Sequence, residues 1–209
     1  FNQTFKVTMS YTGKKPKMEC MERTSRAFYR APDSWRVVTL RDSSYQIGHD
    51  GRRAPWKDGE EGVSVSSSDD DRDLTRLPYY LERLDKFRFR IAHRSVSEGR
   101  IVYEVDFEPL SDFDVLPGGK LWLLTPDYQI VREEFRLKNL PAPWILKGVD
   151  LLTRDWQNVD GRWVVKRITG RVDLGLNFLK VPNSIEFVAL YDHYEFNPAL
   201  DGALFKGGR

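Results

Sequence analysis

Cysteine is nearly missing from this sequence, which has Cys20 alone among 209 residues. An intramolecular disulfide and any multi-cysteine metal site are therefore excluded. A nucleophilic role for Cys20 requires a histidine close in space, and the chain has only His49, His93 and His193. The simpler interpretation is a small apolar side chain on a strand, and this is what we expect of Cys20.

An excess of one charge and long apolar runs are also missing. The 33 basic and 31 acidic side chains leave a net charge of +2, so no overall field draws nucleic acid or an anionic membrane. No apolar run approaches the roughly 20 residues of a spanning helix. The opening FNQTFKV is strand-like and lacks the plan of a signal peptide. We expect a soluble chain without a nucleic-acid partner, any export signal having been removed upstream.

Motifs of catalysis and metal binding are lacking as well. There is no G-x-S-x-G elbow, Gly118-Gly119 precedes a strand instead of forming a phosphate loop, and no histidine spacing suits a metal. Asp69 to Asp71 lack the alternation and the distal glutamate of a calcium loop. Glu133 and Glu134 alternate faces on a strand, and we expect both to be solvated. We therefore predict no metal, no cofactor and no catalytic residue, and we do not expect an enzyme.

What the sequence does have is apolar alternation with period two, which is typical of strands with one dry face. Such alternation runs through QTFKVTMSY, KFRFRIAHR and RIVYEVDFEP, with mostly polar residues on the other face. From strand parity we predict that nine residues share one apolar surface: Phe5, Val7, Met9, Phe87, Phe89, Ile91, Tyr103, Val105 and Phe107.

The second and third of these runs are joined by SVSEG, and together they predict a hairpin. A three-residue turn followed by a bulge at Gly99 places Arg90 opposite Glu104 and Phe89 opposite Val105. A slip by one residue would turn the apolar row into water, so we expect charge pairing and apolar packing to fix this register together.

Turn signals at Thr125-Pro126-Asp127 and Asp160-Gly161 predict further hairpins, and SIEFVALYDHYEF predicts a long last strand. Helical periodicity is confined to DDDRDLTRLPYYLERLDKF, with a second short helix around LPAPWILKGVD. We predict a single domain over residues 1–209. About ten antiparallel strands should curl into a full or partial barrel that the helices cover.

The chain is rich in aromatic side chains, with 12 Phe, 9 Tyr and 6 Trp. Many of them fall on the dry faces of the predicted strands. A barrel interior is either packed or hollow, and an ordinary packed core is the simpler interpretation. A cavity for a ligand is the alternative, and composition alone leaves both open.

The stretch IGHDGRRAPWKDG, residues 47–59, sets His49 beside Asp50 and basic residues around Trp56. Three interpretations of this stretch are open: a catalytic pair, an anion site and a turn. Adjacent strand positions point to opposite faces, which does not suit a catalytic dyad, whereas Asp50-Gly51 is a turn signal. We expect a hairpin turn at the barrel rim with the basic side chains facing water.

A further set of motifs follows one order along the chain. The first strand leads to YRAPDSWRVVTL and YQIGHDGRRAPWKDG, and later come GKLWLLTPDYQIVREEF, NVDGRWVVKRITG and LYDHYEFNPALDGALF. This order resembles the bacterial outer-membrane lipoprotein-sorting family, the LolA/LolB-like carriers, over nearly the whole chain. The matching positions early in the chain are Arg30, Pro32, Trp35, Asp50, Gly51 and Trp56.

The resemblance implies an unclosed antiparallel β-barrel of about ten or eleven strands with a few covering helices. Its hollow interior would be lined by the nine residues above, and Arg30 would tether the helical lid. The implied function is that of a noncatalytic periplasmic carrier, which binds lipoprotein acyl chains or other lipids and moves them across the envelope. Membrane-bound donor and acceptor proteins are implied partners. We expect a monomer, with membrane anchoring through a removed or missing N-terminus left open.

Two other classes of function stay open beside the carrier. An envelope protein-interaction or sensor module on the same fold would have a filled barrel and bind a partner at an edge strand. A small enzyme would show a compact pocket with convergent polar groups. A cavity too small for an acyl chain favours the interaction module.

Overall fold

The computed structural model describes residues 1–11, 16–30, 34–55, 81–97, 99–111, 117–137, 146–174, 182–196 and 198–199. Within these ranges the chain is almost entirely antiparallel sheet. The strands are β1 (Asn2–Tyr11), β2 (Lys17–Arg30), β3 (Ser34–Ile47), β4 (Arg53–Pro55), β5 (Phe87–Ser97), β6 (Arg100–Pro109), β7 (Pro117–Leu124), β8 (Gln129–Leu137), β9 (Leu146–Val159), β10 (Arg162–Leu174) and β11 (Ser184–Asp192).

These strands form one 11-stranded sheet in the order β4-β3-β2-β1-β11-β10-β9-β8-β7-β6-β5. Neighbours along the chain are neighbours in the sheet, except that β1 pairs with β11 and that β4 and β5 lie at opposite edges. The sheet is therefore open in the described part of the chain. The prediction of a mainly β fold, in which about ten or eleven antiparallel strands form a barrel that does not close, is confirmed in its strand number and its lack of closure.

Helix is scarce among the described residues, where a 3₁₀ helix at Leu81–Lys86 leads into β5. It lies at the end of the first predicted helix, and residues 69–80 of that prediction lie outside the described residues. The second predicted helix, around LPAPWILKGVD, is wrong over residues 146–150. Those residues begin β9, because their backbone pairs with β10 at Val172↔Val149 and Leu174↔Leu146.

The hairpin turns fall where the turn signals predict them. Asp160 and Gly161 connect β9 to β10, and both have positive φ values, 50° and 78°. This is the conformation that a two-residue hairpin turn requires, because its twist matches that of the flanking strands. Residues 125–128 likewise connect β7 to β8. Both predicted hairpins are confirmed.

The register predicted for β5 and β6 is wrong by two residues. Arg90 lies opposite Asp106 and Phe89 opposite Phe107, because Ser97 already pairs with Arg100 and the connection is shorter than predicted. The pairing also shifts between Ile91 and His93. A slip of two keeps side-chain parity, so the apolar row still faces one side of the sheet and the charged row the other.

Ion pairs between strands, and one within β8, lie on the charged side of the sheet. Arg90 Nη2 lies 2.7 Å from Asp106 Oδ2, and Arg132 bridges Glu134 and Asp155 at 2.5 and 3.4 Å. Each such exposed pair contributes about 0–1 kcal/mol, so these pairs matter more for register than for stability. We call this side the polar face.

Candidate functional site

All nine residues predicted from parity lie on one side of the sheet, which we call the apolar face. Residues paired directly across an antiparallel sheet share a face, so the pairing carries this assignment from strand to strand. One row crosses eight strands from β5 to β1, each residue paired with the next: Ile91, Val105, Leu121, Glu133, Arg154, Ile168, Ala189 and Phe5.

At the β5–β7 end the apolar face is packed. Phe87, Val105, Phe107 and Leu121 are buried in one cluster, and Tyr103 is half-buried against it. The rings of Phe87 and Phe107 meet edge to face with centroids 5.8 Å apart, a favoured aromatic geometry. These residues form a core, so the packed alternative describes this part of the face.

Some apolar side chains of this face keep contact with water, on β1 and along the outer strand β5. Phe5, Val7 and Met9 on β1 are half-buried, while Phe89 and Ile91 on β5 are 40% and 65% exposed. Large apolar side chains left in contact with water at the margin of a packed cluster offer a surface on which an apolar ligand can be buried. Ligand binding by these residues stays a prediction.

Phe187 on β11 lies beside the half-buried residues of β1 on the apolar face. Its ring centroid lies 6.3 Å from that of Phe5. The ring lies over Gly170, where a Cβ atom would come within 2.5 Å of two ring carbons. Glycine at this position therefore leaves room for the aromatic ring.

A buried ion pair interrupts the apolar face at its middle. Arg154 Nη1 on β9 lies 3.1 Å from Glu133 Oε2 on β8, and the two side chains are 3% and 0% exposed. The expectation that Glu133 is solvated is wrong, whereas the alternation with the half-buried Glu134 is right. Sequence parity carries a signal for this pair, because Glu133 shares its face with Phe135, and Arg154 shares its face with Leu152.

Trp156 adds a polar group to the same region. Its ring centroid is 6.0 Å from the guanidinium carbon of Arg154. The indole Nε1 is buried and has no hydrogen-bond acceptor among the described residues. A buried donor without an acceptor costs about 1–3 kcal/mol. An ester carbonyl or carboxylate oxygen of a ligand is the kind of group that accepts such a hydrogen bond.

A second polar cluster lies at the far end of β1. The hydroxyl of Tyr11 donates to Glu19 Oε2 at 2.6 Å, and Lys17 Nζ lies beside the other oxygen of that carboxylate. Glu19 is buried and pairs with Met9, so the cluster borders the apolar face. Burial raises the pKa of Tyr11, and the hydrogen bond to Glu19 raises it further.

The stretch at residues 47–59 forms the expected turn as far as Pro55. Gly51 N donates to the Gly48 carbonyl at 3.0 Å, Gly48 N donates to the Arg52 carbonyl at 3.1 Å, and β4 follows. The Arg52 side chain is 89% exposed. The prediction of a turn with basic residues in water is confirmed for Arg52, and residues 56–59 lie outside the described residues.

Beside this turn lies a cavity of about 290 Å³. Five of its eight lining residues have polar or charged side chains, and none of the nine predicted residues contributes to it. Two of its charged side chains lie close together, since Arg52 Nε is 3.8 Å from Asp50 Oδ2. The lining residues are Pro16, Lys17, Gln46, Gly48, His49, Asp50, Arg52 and Ala54.

Two further residues singled out in the sequence, Cys20 and Arg30, lie on β2. Arg30 ends β2 and pairs with Ser34 through the backbone, but its side chain lies outside the described part of the structure. Its role as a tether stays a prediction. Cys20 is buried on β2, with Sγ 3.9 Å from Thr8 Oγ1, which agrees with a small side chain filling space on a strand.

Neither a metal-binding cluster nor a membrane-spanning helix occurs in the described ranges. No three His, Cys, Asp or Glu side chains there are grouped so as to hold a metal ion. No described helix has both the length and the apolar character needed to cross a membrane.

Comparison with known proteins gives matches among solved structures alone. No protein-family model matches the chain, and no curated protein does. One similar structure is a DUF1329 family protein from Desulfovibrio piger, at 14% identity and a TM-score of 0.38, covering 98% of this chain and 89% of that one.

Two further solved structures are similar to this chain. A domain from Vibrio parahaemolyticus described as an outer membrane lipoprotein-sorting protein matches at 14% identity and a TM-score of 0.37, covering 98% of this chain and 89% of that one. A LolA superfamily protein from Nitrosomonas europaea matches at 12% identity and a TM-score of 0.34, covering 99% and 90%. The descriptions of these two structures name the lipoprotein-sorting and LolA groups that the sequence motifs resemble.

Proposed function

We propose that this protein is a noncatalytic periplasmic carrier, which binds acyl chains of lipoproteins or other lipids on its apolar face and moves them across the envelope. The observation that supports the proposal is the gathering of nine apolar residues on one face, part of which is exposed. The order of motifs along the sequence supports the same class of ligand. A monomer that exchanges cargo with membrane-bound donor and acceptor proteins completes the proposal.

The energetics of such binding are favourable. Each buried methylene contributes about 0.8 kcal/mol, so about ten of them contribute about 8 kcal/mol, from which the entropic cost of association is subtracted. Phe89 and Ile91 have surface left to bury, and Phe5, Val7 and Met9 are only half-buried.

Phe89→Asp tests the proposal, with Leu190→Asp as its matched control. Leu190 lies on the polar face, opposite Thr4 and Arg167, and is 44% exposed against 40% for Phe89. Both variants place a carboxylate where a similarly exposed apolar side chain was. We expect Phe89→Asp to weaken binding of a fluorescent fatty acid at least about tenfold, because a charge at the apolar face opposes acyl burial.

The control variant shows whether a new carboxylate weakens binding only when it lies on the apolar face. Leu190→Asp should bind the fatty acid as the unaltered protein does. Equal affinities of the two variants, with both folded by circular dichroism, would remove the apolar face as the binding surface.

The second candidate function is an envelope interaction or sensor module with a filled interior. The buried cluster of Phe87, Val105, Phe107 and Leu121 favours it, since side chains already occupy that part of the face. Failure of the protein to take up any fatty acid or lipopeptide, together with binding of a protein partner, would support this function over the carrier.

A further inference from the structure

Strand β5 stands out as an exposed edge. All its residues except Phe87 are exposed, and no strand in the described part of the chain pairs with its outer side. The opposite edge is β4, which has three residues and ends in Pro55. An edge of eleven residues presents backbone N–H and C=O groups to which another strand can pair, whereas a short edge ending in proline does so poorly.

The side chains along this edge differ between the two faces. Phe89 and Ile91 lie exposed on the apolar face, and Arg88 and Arg90 lie on the polar face. Arg90 contacts Asp106, yet its side chain is 77% exposed and has further donors to offer. Strand β5 as a whole has three arginines and one histidine and no acidic residue.

We propose that an extended acidic segment of a partner protein adds to the outer edge of β5 along Phe87–Ile91. Its apolar side chains would lie beside Phe89 and Ile91, and its carboxylates beside Arg88 and Arg90. Main-chain hydrogen bonds would supply affinity, and the alternating side chains would supply specificity. The pairing shift after Ile91 bends the strand and ends the docking segment there.

Charge complementarity favours an acidic partner strand over the β5 strand of a second copy of the same chain. Antiparallel pairing of two β5 strands, with their phenylalanines on one face, would bring arginine rows together on the other face. Like charges across strands are destabilising and opposite charges are stabilising. An acidic strand therefore fits this edge and a second β5 does not. This inference does not depend on acyl-chain carriage.

The test uses a capped synthetic peptide of about ten residues in which valine and glutamate alternate, so that it can pair as a strand. Three probes are compared by fluorescence anisotropy with the full chain: this peptide, its lysine counterpart, and the same glutamate peptide N-methylated at every residue. The methylated probe keeps the side chains and the charge but cannot donate backbone hydrogen bonds. We expect the glutamate peptide to bind, and the other two to bind at least about tenfold more weakly.

Variants locate the site. Arg88→Glu should weaken binding of the glutamate peptide about tenfold, whereas Lys166→Glu, the same reversal at an exposed residue of the central strand β10, should not. Hydrogen exchange should slow on peptide binding in residues 87–91. Three results would overturn the proposal: equal binding of the methylated and unmethylated peptides, equal effects of the two charge reversals, or no binding at all. The arginines would then serve to protect the exposed edge of β5 from unwanted strand pairing.

Discussion

Glu133 and Arg154 form an ion pair with almost no contact with water, at the middle of the apolar face. Removing one partner of such a pair leaves a charge in a site that disfavours it, at a cost of about 3–5 kcal/mol. We therefore expect Glu133→Gln to lower the free energy of unfolding by about that amount. Urea denaturation followed by tryptophan fluorescence measures it.

Glu134→Gln is the matched control, since it makes the same change one residue further along β8. Glu134 lies on the polar face and pairs with Arg132, and both side chains are partly exposed. The expected loss is at most about 1 kcal/mol. Similar losses in the two variants would mean that the pair of Glu133 with Arg154 is not a special determinant of stability.

Tyr11 gives a prediction about pH. Burial and the hydrogen bond to Glu19 raise its pKa in the folded protein above the unfolded value of about 10. The stability that this contributes is present below about pH 10 and is lost as pH rises through the folded pKa. As pH rises above 10, the Tyr11→Phe variant should therefore lose less of its free energy of unfolding than the unaltered protein does. Urea denaturation at each pH measures both losses. Identical pH profiles would contradict the assignment.

The sequence predicts on which face of the sheet a side chain lies, but it does not predict whether that side chain is buried. Alternation placed Glu133 and Glu134 on opposite faces, which is correct. Alternation also places Glu133 and Arg154 each on an apolar face. It does not identify them as partners, because Arg154 is 21 residues away on the next strand. Exposure of Phe89 depends on its position at an edge of the whole sheet.

At the scale of elements, the β5–β6 hairpin depends on Gly99, whose φ is +74°. Apart from its two chain neighbours, no described residue has an atom within 4 Å of the place that a Cβ atom would take there, so a substitution is expected to act through the backbone. We expect Gly99→Val to cost about 1–2 kcal/mol, because a β-branched residue disfavours this conformation. Thermal unfolding of the purified variant measures the cost.

Gly99→Asn is the comparison, because asparagine tolerates the left-handed region better than valine. It should retain most of the stability that Gly99→Val loses. Equal destabilisation by the two substitutions would show that the loss arises from something other than the backbone conformation.

The same hairpin shows what local sequence can predict. Opposite charges and apolar rows fix side-chain parity, and parity was predicted correctly. Slips of two residues preserve both rows, so the choice between Arg90↔Glu104 and the observed Arg90↔Asp106 depends on turn length. The segment SVSEG is compatible with turns of two or three residues, and the pattern alone does not choose between them.

At the scale of the whole molecule, sequence-adjacent hairpins account for most of the strand order. The exception is the pairing of β1 with β11, for example Val7↔Phe187, which brings together two strands from distant parts of the chain. No turn signal connects these strands, so their pairing could not be predicted from local sequence. The short helix expected at LPAPWILKGVD failed for a similar reason, since pairing with β10 outweighs local helical preference over residues 146–150.

The central claim is that the apolar face takes up acyl chains, and native mass spectrometry tests it most directly. The protein is purified without detergent from its own envelope, and lipids are extracted from the same sample. We predict a stoichiometric lipid or acylated peptide bound to the chain. A bare mass that also takes up no added fatty acid or lipopeptide would contradict the claim.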